Sequence, residues 1–531
     1  MKQKNIFTTT IVLSVAVLLG ACTKDLDRKP LNSNTSELQY STPAGYKQVL
    51  AKVYGSYSLV SSTGVGNFDV NVAGITDAGT TDFIRAYWNL QELTTDEALC
   101  AWNDVNLQSF HNLNWTSSNI FINALYARSL FQVTVCNEFI RESSDEKLAG
   151  KGFPAADLED IKHYRAEARF LRAFQYWVLM DLFGNPPFVT ENDPIGKYIP
   201  KQIQRKDLFN YVEAELKEID GSLVSPKQNE YGRADQAAGW ALLARLYLNA
   251  EVYTGTARYA DAITYSSKVI GSNYTLLPHF KNLFMADNNV GNTENILSIA
   301  YDATNAQNYG GTTFLICSSH GTNVDDNKKY GIPGGGWLGN RSTKSLPLAF
   351  GDYSGNADKR AMFSSGTLEI ASALNFNDGL SVTKFSNVNS DGTTPYSPNG
   401  VLVNTDFPLF RLAEMYLVYI EATKRGGAGG TAAAALGYFN KLRQRGYEST
   451  AGNVTSYTLD DVLNERQREL YWEGFRRTDL IRFGRFTSAT YLWPWKAGVA
   501  QGAGADAHYS IFPIPSPEII SNTNLAQNPG Y

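Results

Sequence analysis

The stretch that most limits the fold is DLEDIKHYRAEARFLRAFQYWVLMDLF, residues 157–183. It holds no Gly or Pro. Ile161, Tyr164, Ala168, Leu171, Phe174 and Val178 recur at three- and four-residue spacing, which draws one apolar stripe along a helix. Asp157 can cap its start, and Gly184 with Pro186 and Pro187 stops it. A helix with such a stripe needs partners, and the neighbouring sequence supplies them. Helical spacing is also present at 41–58, 118–148, 207–219, 233–250 and 258–270, with small residues (Ala238, Gly239, Ala244) where helices must approach closely. Paired helices of this length read as an α-solenoid, and their Ala/Tyr/Leu pattern is like that of tetratricopeptide repeats with an irregular period.

From about 280 to 405 the texture changes to Gly, Asn, Ser, Thr and Pro, as in NYGGTTF, GIPGGGWLGN and NSDGTTPYSPNG. A loop-rich stretch this long is usually functional or a subdomain of its own. Helices return at 410–425, 432–445 and 459–484, and the proline-rich tail IFPIPSPEIISNTNLAQNPGY reads as an extended closing strap. The expected fold is therefore mostly α, with solenoid helices from both ends of the chain enclosing an irregular middle. In 464–486 the charges Glu465, Arg466, Arg468, Glu469, Glu473, Arg476, Arg477, Asp479 and Arg482 recur along what reads as one helix and its exit. They suit ion pairs within and between helices rather than ligand contact.

The net charge of −5 argues against a nucleic-acid partner. Aromatics at 12% exceed what the charge pattern explains; most belong in a core, but Tyr and Trp also suit sugar or protein recognition. Lys2, Lys4 and the apolar run IVLSVAVLLGAC form a secretory leader too short to span a bilayer. The leader ends in Leu19-Gly20-Ala21-Cys22, which resembles a bacterial lipobox: the resemblance implies cleavage after residue 21 and lipid on Cys22. The following TKD resembles the surface-export signal of Bacteroidetes lipoproteins. Cys100, Cys136 and Cys317 match no zinc spacing and read as buried thiols. There is no HExxH, GxSxG, Walker or dinucleotide motif. No cofactor is expected, and no EF-hand pattern supports calcium in the Asp/Asn-rich loops.

Four stretches together resemble the SusD/RagB family of outer-membrane lipoproteins across essentially the whole chain: the lipobox, YRAEARFLRAFQYWVLMDLFGNPPF (164–188), PLFRLAEMYLVYIEA (408–422) with NERQRELYWEGFRRTDLIRFGRF (464–486), and the ending FPIPSPEIISN…NPGY. The resemblance implies a signal peptide at 1–21, a lipidated tether at 22–40 and a single domain at 41–531. Within that domain it implies about four tetratricopeptide-like helix pairs, mainly in 41–280 and 405–490, and a loop-rich ligand region mainly in 60–117 and 280–405. It also implies a surface glycan-binding lipoprotein, not an enzyme, that serves a TonB-dependent importer of the SusC type.

Within the family the nearest likeness is to its starch-binding member. RAYWNLQELTTDEALCAWND resembles the part supplying an arginine and a tryptophan of the sugar-binding arc, here Arg85 and Trp102. NYGGTTFLIC would supply Tyr309, and GGGWLGN would supply Trp337. Two positions depart. Cys100 stands in place of a second tryptophan, and Val105 replaces a hydrogen-bonding asparagine whose role Asn103 or Asp104 can take. An arc of rings fits the curled apolar face of an α-glucan, with Arg85 offering a fork of donors to hydroxyls. Other readings stay open: another glycan or a peptide cargo, a purely structural scaffold, or a surface glycoside hydrolase using Asp325, Asp326 or Asp391. The adjacent Asp96 and Glu97 cannot face one substrate as an acid–base pair, and are expected to cap and brace the Trp102 loop.

Overall fold

The computed structural model describes residues 36–61, 64–67, 77, 79–196, 198–321 and 323–531. The leader, Cys22 and the tether as far as residue 35 lie outside the described residues. The end of the expected tether is not a tether: Tyr40 is buried against Tyr46 and Phe139, and its hydroxyl donates to Glu138 at 2.7 Å. The folded body therefore begins before residue 41.

The principal helices are α1 (Pro43–Ser58), α2 (Phe83–Glu92), α3 (Ile120–Glu142), α4 (Ala155–Phe183), α5 (Arg205–Glu218), α6 (Gln236–Leu248), α7 (Tyr259–Ile270), α8 (Gly311–Cys317), α9 (Leu412–Lys424), α10 (Ala432–Tyr447), α11 (Leu459–Leu470) and α12 (Arg476–Arg482). Most pack on the next in order: α3 on α4, α4 on α5, α5 on α6, α6 on α7, and α9 on α10 and α11. The stack is continuous across the irregular region, because α7 packs directly on α9. Residues 271–411 are thus an insertion between two neighbouring helices of a solenoid, as the change of texture predicts.

The insertion is more regular than its composition suggests. Strands β1 (Ala98–Cys100), β3 (Asn340–Ser342), β5 (Gly379–Val382) and β4 (Phe363–Thr367) form one antiparallel sheet in the order β1-β3-β5-β4. A second pair, β2 (Asn295–Ile299) and β6 (Phe407–Arg411), closes the insertion, and β6 runs straight into α9. The sequence reading also does not anticipate α2, which lies in the expected loop region.

The helix at 157–183 forms, but not as a single-stripe helix. It starts at Ala155 after Pro154, so Asp157 sits in the first turn and favours the dipole rather than capping. From Phe170 to Phe183 every side chain is buried, because α1, α3 and α5 cover it and the C-terminal tail closes over its end. Phe512 N donates to Leu182 O at 2.8 Å, and Asn528 Nδ2 to Phe183 O at 2.9 Å. The tail is a strap as expected, interrupted by a short helix at Ser516–Ser521.

The expected single helix at 459–484 is broken into α11 and α12. Between them Trp472 and Gly474 take φ of +64° and +82°. The amide of Trp472 donates to Glu97 Oε2 at 3.2 Å, and that of Gly474 to Glu92 Oε1 at 2.7 Å. A Cβ at Gly474 would lie 2.5 Å from the Tyr87 ring. Buried carboxylates thus satisfy backbone donors that a continuous helix would have used itself. The charged run around the break forms bridges between elements, as expected. Glu469 accepts from Arg411 at 2.6 Å and Arg360 at 3.0 Å, Glu465 from Arg360 at 2.7 Å, Asp479 from Arg466 at 2.7 Å and Glu421 from Arg482 at 2.7 Å, all buried.

Candidate functional site

Two ties bring distant aromatic residues to one place. The first is the β1–β3 pairing, in which Cys100 stands opposite Asn340 and Ala101 N donates to Gly339 O at 2.8 Å. Trp102 lies just past β1 and Trp337 just before β3, so an antiparallel ladder sets both at the same end of the ribbon. Gly339 has φ +125°, and a Cβ there would sit 2.4 Å from Trp102 Nε1. Only glycine lets the indole approach this backbone. Gln108 Nε2 holds the Trp102 turn by donating to the carbonyls of Cys100 and Trp102. The Trp337 turn is hung on the end of α8, with Trp337 N donating to Cys317 O at 2.6 Å and Leu338 N to His320 O at 2.7 Å.

The second tie is Asp82, which the sequence reading missed. Its carboxylate caps α2 by accepting from Arg85 N at 2.8 Å. The same group accepts from Gly311 N at 2.7 Å and Asn308 Nδ2 at 2.6 Å, on either side of Tyr309. A Cβ at Gly310 would lie 2.1 Å from Asp82 Cβ, so the NYGG turn needs its glycine to reach the cap. An Asp directly before the apolar-periodic FIRAYWNLQE is a helix-start signal that could have revealed it.

Arg85, Trp102, Asn103, Asp104, Tyr309 and Trp337 all line one open cleft of about 680 Å³. Tyr309 meets Trp337 at 6.3 Å between ring centroids, and Trp102 meets Phe314 at 6.0 Å. The Arg85 guanidinium carbon lies 4.7 Å from the Phe314 ring centroid and 5.4 Å from that of Trp102. Among the described residues its buried Nε has no hydrogen-bond partner. Burial lowers the Arg85 pKa, but a guanidinium remains a cation with five donors. The cleft thus combines flat apolar faces with a charged donor group, the pairing that a polyhydroxylated ring requires.

Cys100 is buried within β1, and burial pushes its thiol up to about 12, which rules it out as a nucleophile. All three described cysteines are free and buried, as expected. Val105 is 73% exposed, and its neighbours Asn103 and Asp104 supply the polar atoms of that rim. Asp96 and Glu97 do not cap the loop. They lie buried behind β1, where Asp96 accepts from Arg476 Nε and Nη2, each at 2.7 Å, and from the Tyr491 hydroxyl at 2.7 Å. Their bracing role stands, and neither lines the cleft. Asp325, Asp326 and Asp391 are also absent from its lining.

The cleft has further walls that the sequence reading missed. Asp77 accepts from Gly79 N at 2.8 Å, Thr80 N at 2.7 Å and Thr80 Oγ1 at 2.9 Å. Burial opposes its ionisation, yet these donors hold its carboxyl below the usual range. Phe376 adds an exposed ring from the 371–378 loop. Among the described residues no group of three His, Cys, Asp or Glu side chains could hold a metal ion. A second cavity, about 320 Å³ between α1 and β2, has a mainly apolar surface with Lys47, Glu230 and Arg233 on its wall, and its Tyr54 and Tyr57 hydroxyls are already bonded to Glu167 and to Leu171 O.

Residues 355–531 match the model of the SusD family. The chain is 34% identical to the starch-binding protein SusD of Bacteroides thetaiotaomicron, over 99% of each chain. It is 23% identical to a SusD-like protein of Bacteroides ovatus, over 90% of this chain and 82% of that one. Among solved structures it resembles a laminarin-binding SusD-like protein, with TM-score 0.70 and 22% identity, over 92% of this chain and 99% of that one. It also resembles surface glycan-binding protein A of B. thetaiotaomicron in complex with laminarihexaose, with TM-score 0.67 and 20% identity, over 91% of this chain and 99% of that one. Near-complete coverage at this identity, together with a shared fold, makes the chain a member of the SusD family of carbohydrate-binding proteins, which are not enzymes.

Proposed function

We propose that the chain captures α-glucan, as starch or malto-oligosaccharide, in the cleft lined by Trp102, Tyr309, Trp337 and Arg85, and passes it to a SusC-like TonB-dependent importer. The observation that carries this is the convergence of three rings from separate loops on one open cleft, beside an arginine packed against the Phe314 and Trp102 rings. The rings stack on the apolar faces of successive sugars while Arg85, Asn103 and Asp104 select hydroxyls. The turns that carry the three rings are fixed by backbone ties, so the ligand's own curvature is met with little ordering of those turns. Similarity to a starch-binding protein supports the choice of glucan. The lipobox at Leu19–Cys22 supports a lipid-anchored position at the outer-membrane surface, with no nucleic-acid partner.

Affinity electrophoresis tests this directly. Gels cast with amylopectin or pullulan should retard the protein, and Trp102→Ala or Trp337→Ala should abolish the retardation. Retardation by laminarin, levan or xylan alone would keep the family and reassign the cargo. Free migration through all of them would overturn the polysaccharide reading.

A further inference from the structure

Phe376 is held out of the core at considerable structural cost. It lines the cleft, is 40% exposed, and has no ring partner among the described aromatic pairs. Nor does it belong to either hydrophobic cluster of the protein. An isolated exposed Phe is ordinary on a floppy surface loop, but the 371–378 loop is clamped. Arg341, buried in β3, donates through Nη2 to Ala373 O at 3.0 Å and through Nη1 to the carbonyls of Asn375 and Asp378. Asp378 Oδ2 closes the loop by accepting from Ala371 N at 2.8 Å and Ser372 N at 2.9 Å, and its Oδ1 accepts from Asn375 Nδ2 at 2.6 Å. Ala373 and Ile370 pack on Leu99 and Trp495, and Trp495 Nε1 donates to Ile370 O at 3.0 Å.

The clamp is also coupled to the arc. Arg341 Nε donates to Gly339 O at 3.2 Å, the residue whose backbone backs Trp102. One buried guanidinium therefore sets both the platform under Trp102 and the loop that presents Phe376. A desolvated cation committed to four carbonyls is an expensive way to order a loop, and the side chain it orders has its face turned neither to the core nor to another ring.

We propose that Phe376 is a fourth stacking platform of the cleft, one that engages a sugar beyond those held by Trp102, Tyr309 and Trp337 and so sets the protein's preference for longer glucan chains. This rests on the α-glucan reading above. A flat apolar face without a polar handle adds contact area but no hydroxyl selection, so it should discriminate by chain length rather than by linkage.

Isothermal titration of the detergent-solubilised full chain with maltotriose and maltoheptaose tests it, using Phe376→Ala, Phe376→Tyr and Trp102→Ala. Loss of one stacked ring should weaken maltoheptaose binding by several-fold to about tenfold in Phe376→Ala. Maltotriose binding should be unchanged, and Phe376→Tyr should restore the wild-type ratio. Equal affinities of wild type and Phe376→Ala for both sugars, with Trp102→Ala defective, would overturn this inference alone. Equal weakening for both sugars would also overturn it, since the ring would then belong to the shared arc. A wild-type protein that binds neither sugar would overturn the α-glucan reading and this inference with it.

Discussion

Glu92 and Glu97 should make the stability of this protein fall as pH rises towards neutral. Both are buried, Glu92 at the end of α2 and Glu97 just before β1. Burial pushes the Glu92 carboxyl up to about 7, and burial with repulsion from Glu92 raises Glu97 well above its usual value. Glu92 therefore keeps a proton in the folded state that the unfolded chain releases near pH 4.5, and Glu97 shifts in the same direction. With a raised folded pKa, the folded state binds more protons between about 4.5 and 7, so its stability declines across that window. The difference of roughly 2.5 units is worth about 3 kcal/mol. Glu465 acts in the opposite sense: burial would raise it, but Arg360, Arg468 and Arg443 hold it at about 2, so its stabilisation is lost as pH falls from 4.5 towards 2. Maximum stability should therefore lie on the acidic side of neutral. Glu92→Gln is the decisive change. Its amide oxygen can still accept from Gly474 N, and its NH₂ can donate to Glu97 without a titrating proton. At about 2.1 cal/mol/K of unfolding entropy per residue, 3 kcal/mol corresponds to roughly 3 °C in this chain. Calorimetric scans from pH 5 to 8 should show the wild-type midpoint falling by about that much more than the variant's. Parallel slopes would refute the raised Glu92 carboxyl.

Three further outcomes follow from the same contacts. Arg85→Met keeps the packing on Phe314 and Trp102 but removes the donors, and should cost about tenfold or more in glucan affinity with an unchanged melting temperature, read by titration and scanning calorimetry. Glu469→Gln uncouples Arg411, Arg360 and Arg445 from a buried carboxylate and should cost about 3–5 kcal/mol, measured as a lower denaturation midpoint. Gly339→Ala forces a Cβ to 2.4 Å from Trp102 Nε1 at φ +125°, so gel retardation by amylopectin should disappear while the far-ultraviolet circular dichroism stays helical.

The solenoid was legible because helical periodicity survives burial: the spacing in 157–183 and 258–270 marks helices that form within two residues of the expected bounds. What failed did so for tertiary reasons. The pattern of 459–484 is locally helical throughout, yet Glu92 and Glu97, far away in sequence, capture the amides of Gly474 and Trp472 and break it. The stripe at 157–183 underestimated burial, because a periodicity count cannot see that three helices and a tail converge on Phe170–Phe183. In the cleft, the aromatic residues could be named from motif likeness, since a ring beside glycines stands out. Arg341 could not, and of Asp82 only the helix cap was there to be read, because both also accept from or donate to backbone groups of loops that become neighbours only after folding.

That division follows from where the cleft is built. The solenoid places α7 against α9 with or without an insertion between them, so the 271–411 segment is free to vary without disturbing the stack. A variable segment alone would give a mobile site. Here the insertion is sewn back to the solenoid side at several buried polar points. Asp82 of the α2 cap reaches the Tyr309 turn, Arg360 donates to Glu465 of α11 at 2.7 Å, and Lys384, just past β5, donates to Glu473 at 2.6 Å. Each is a charged group taken out of water and paired, so that losing one partner would strand the other. On the α-glucan reading proposed above, an arc that flexes would no longer match the ligand's curvature, and these buried pairs hold in place rings they never touch.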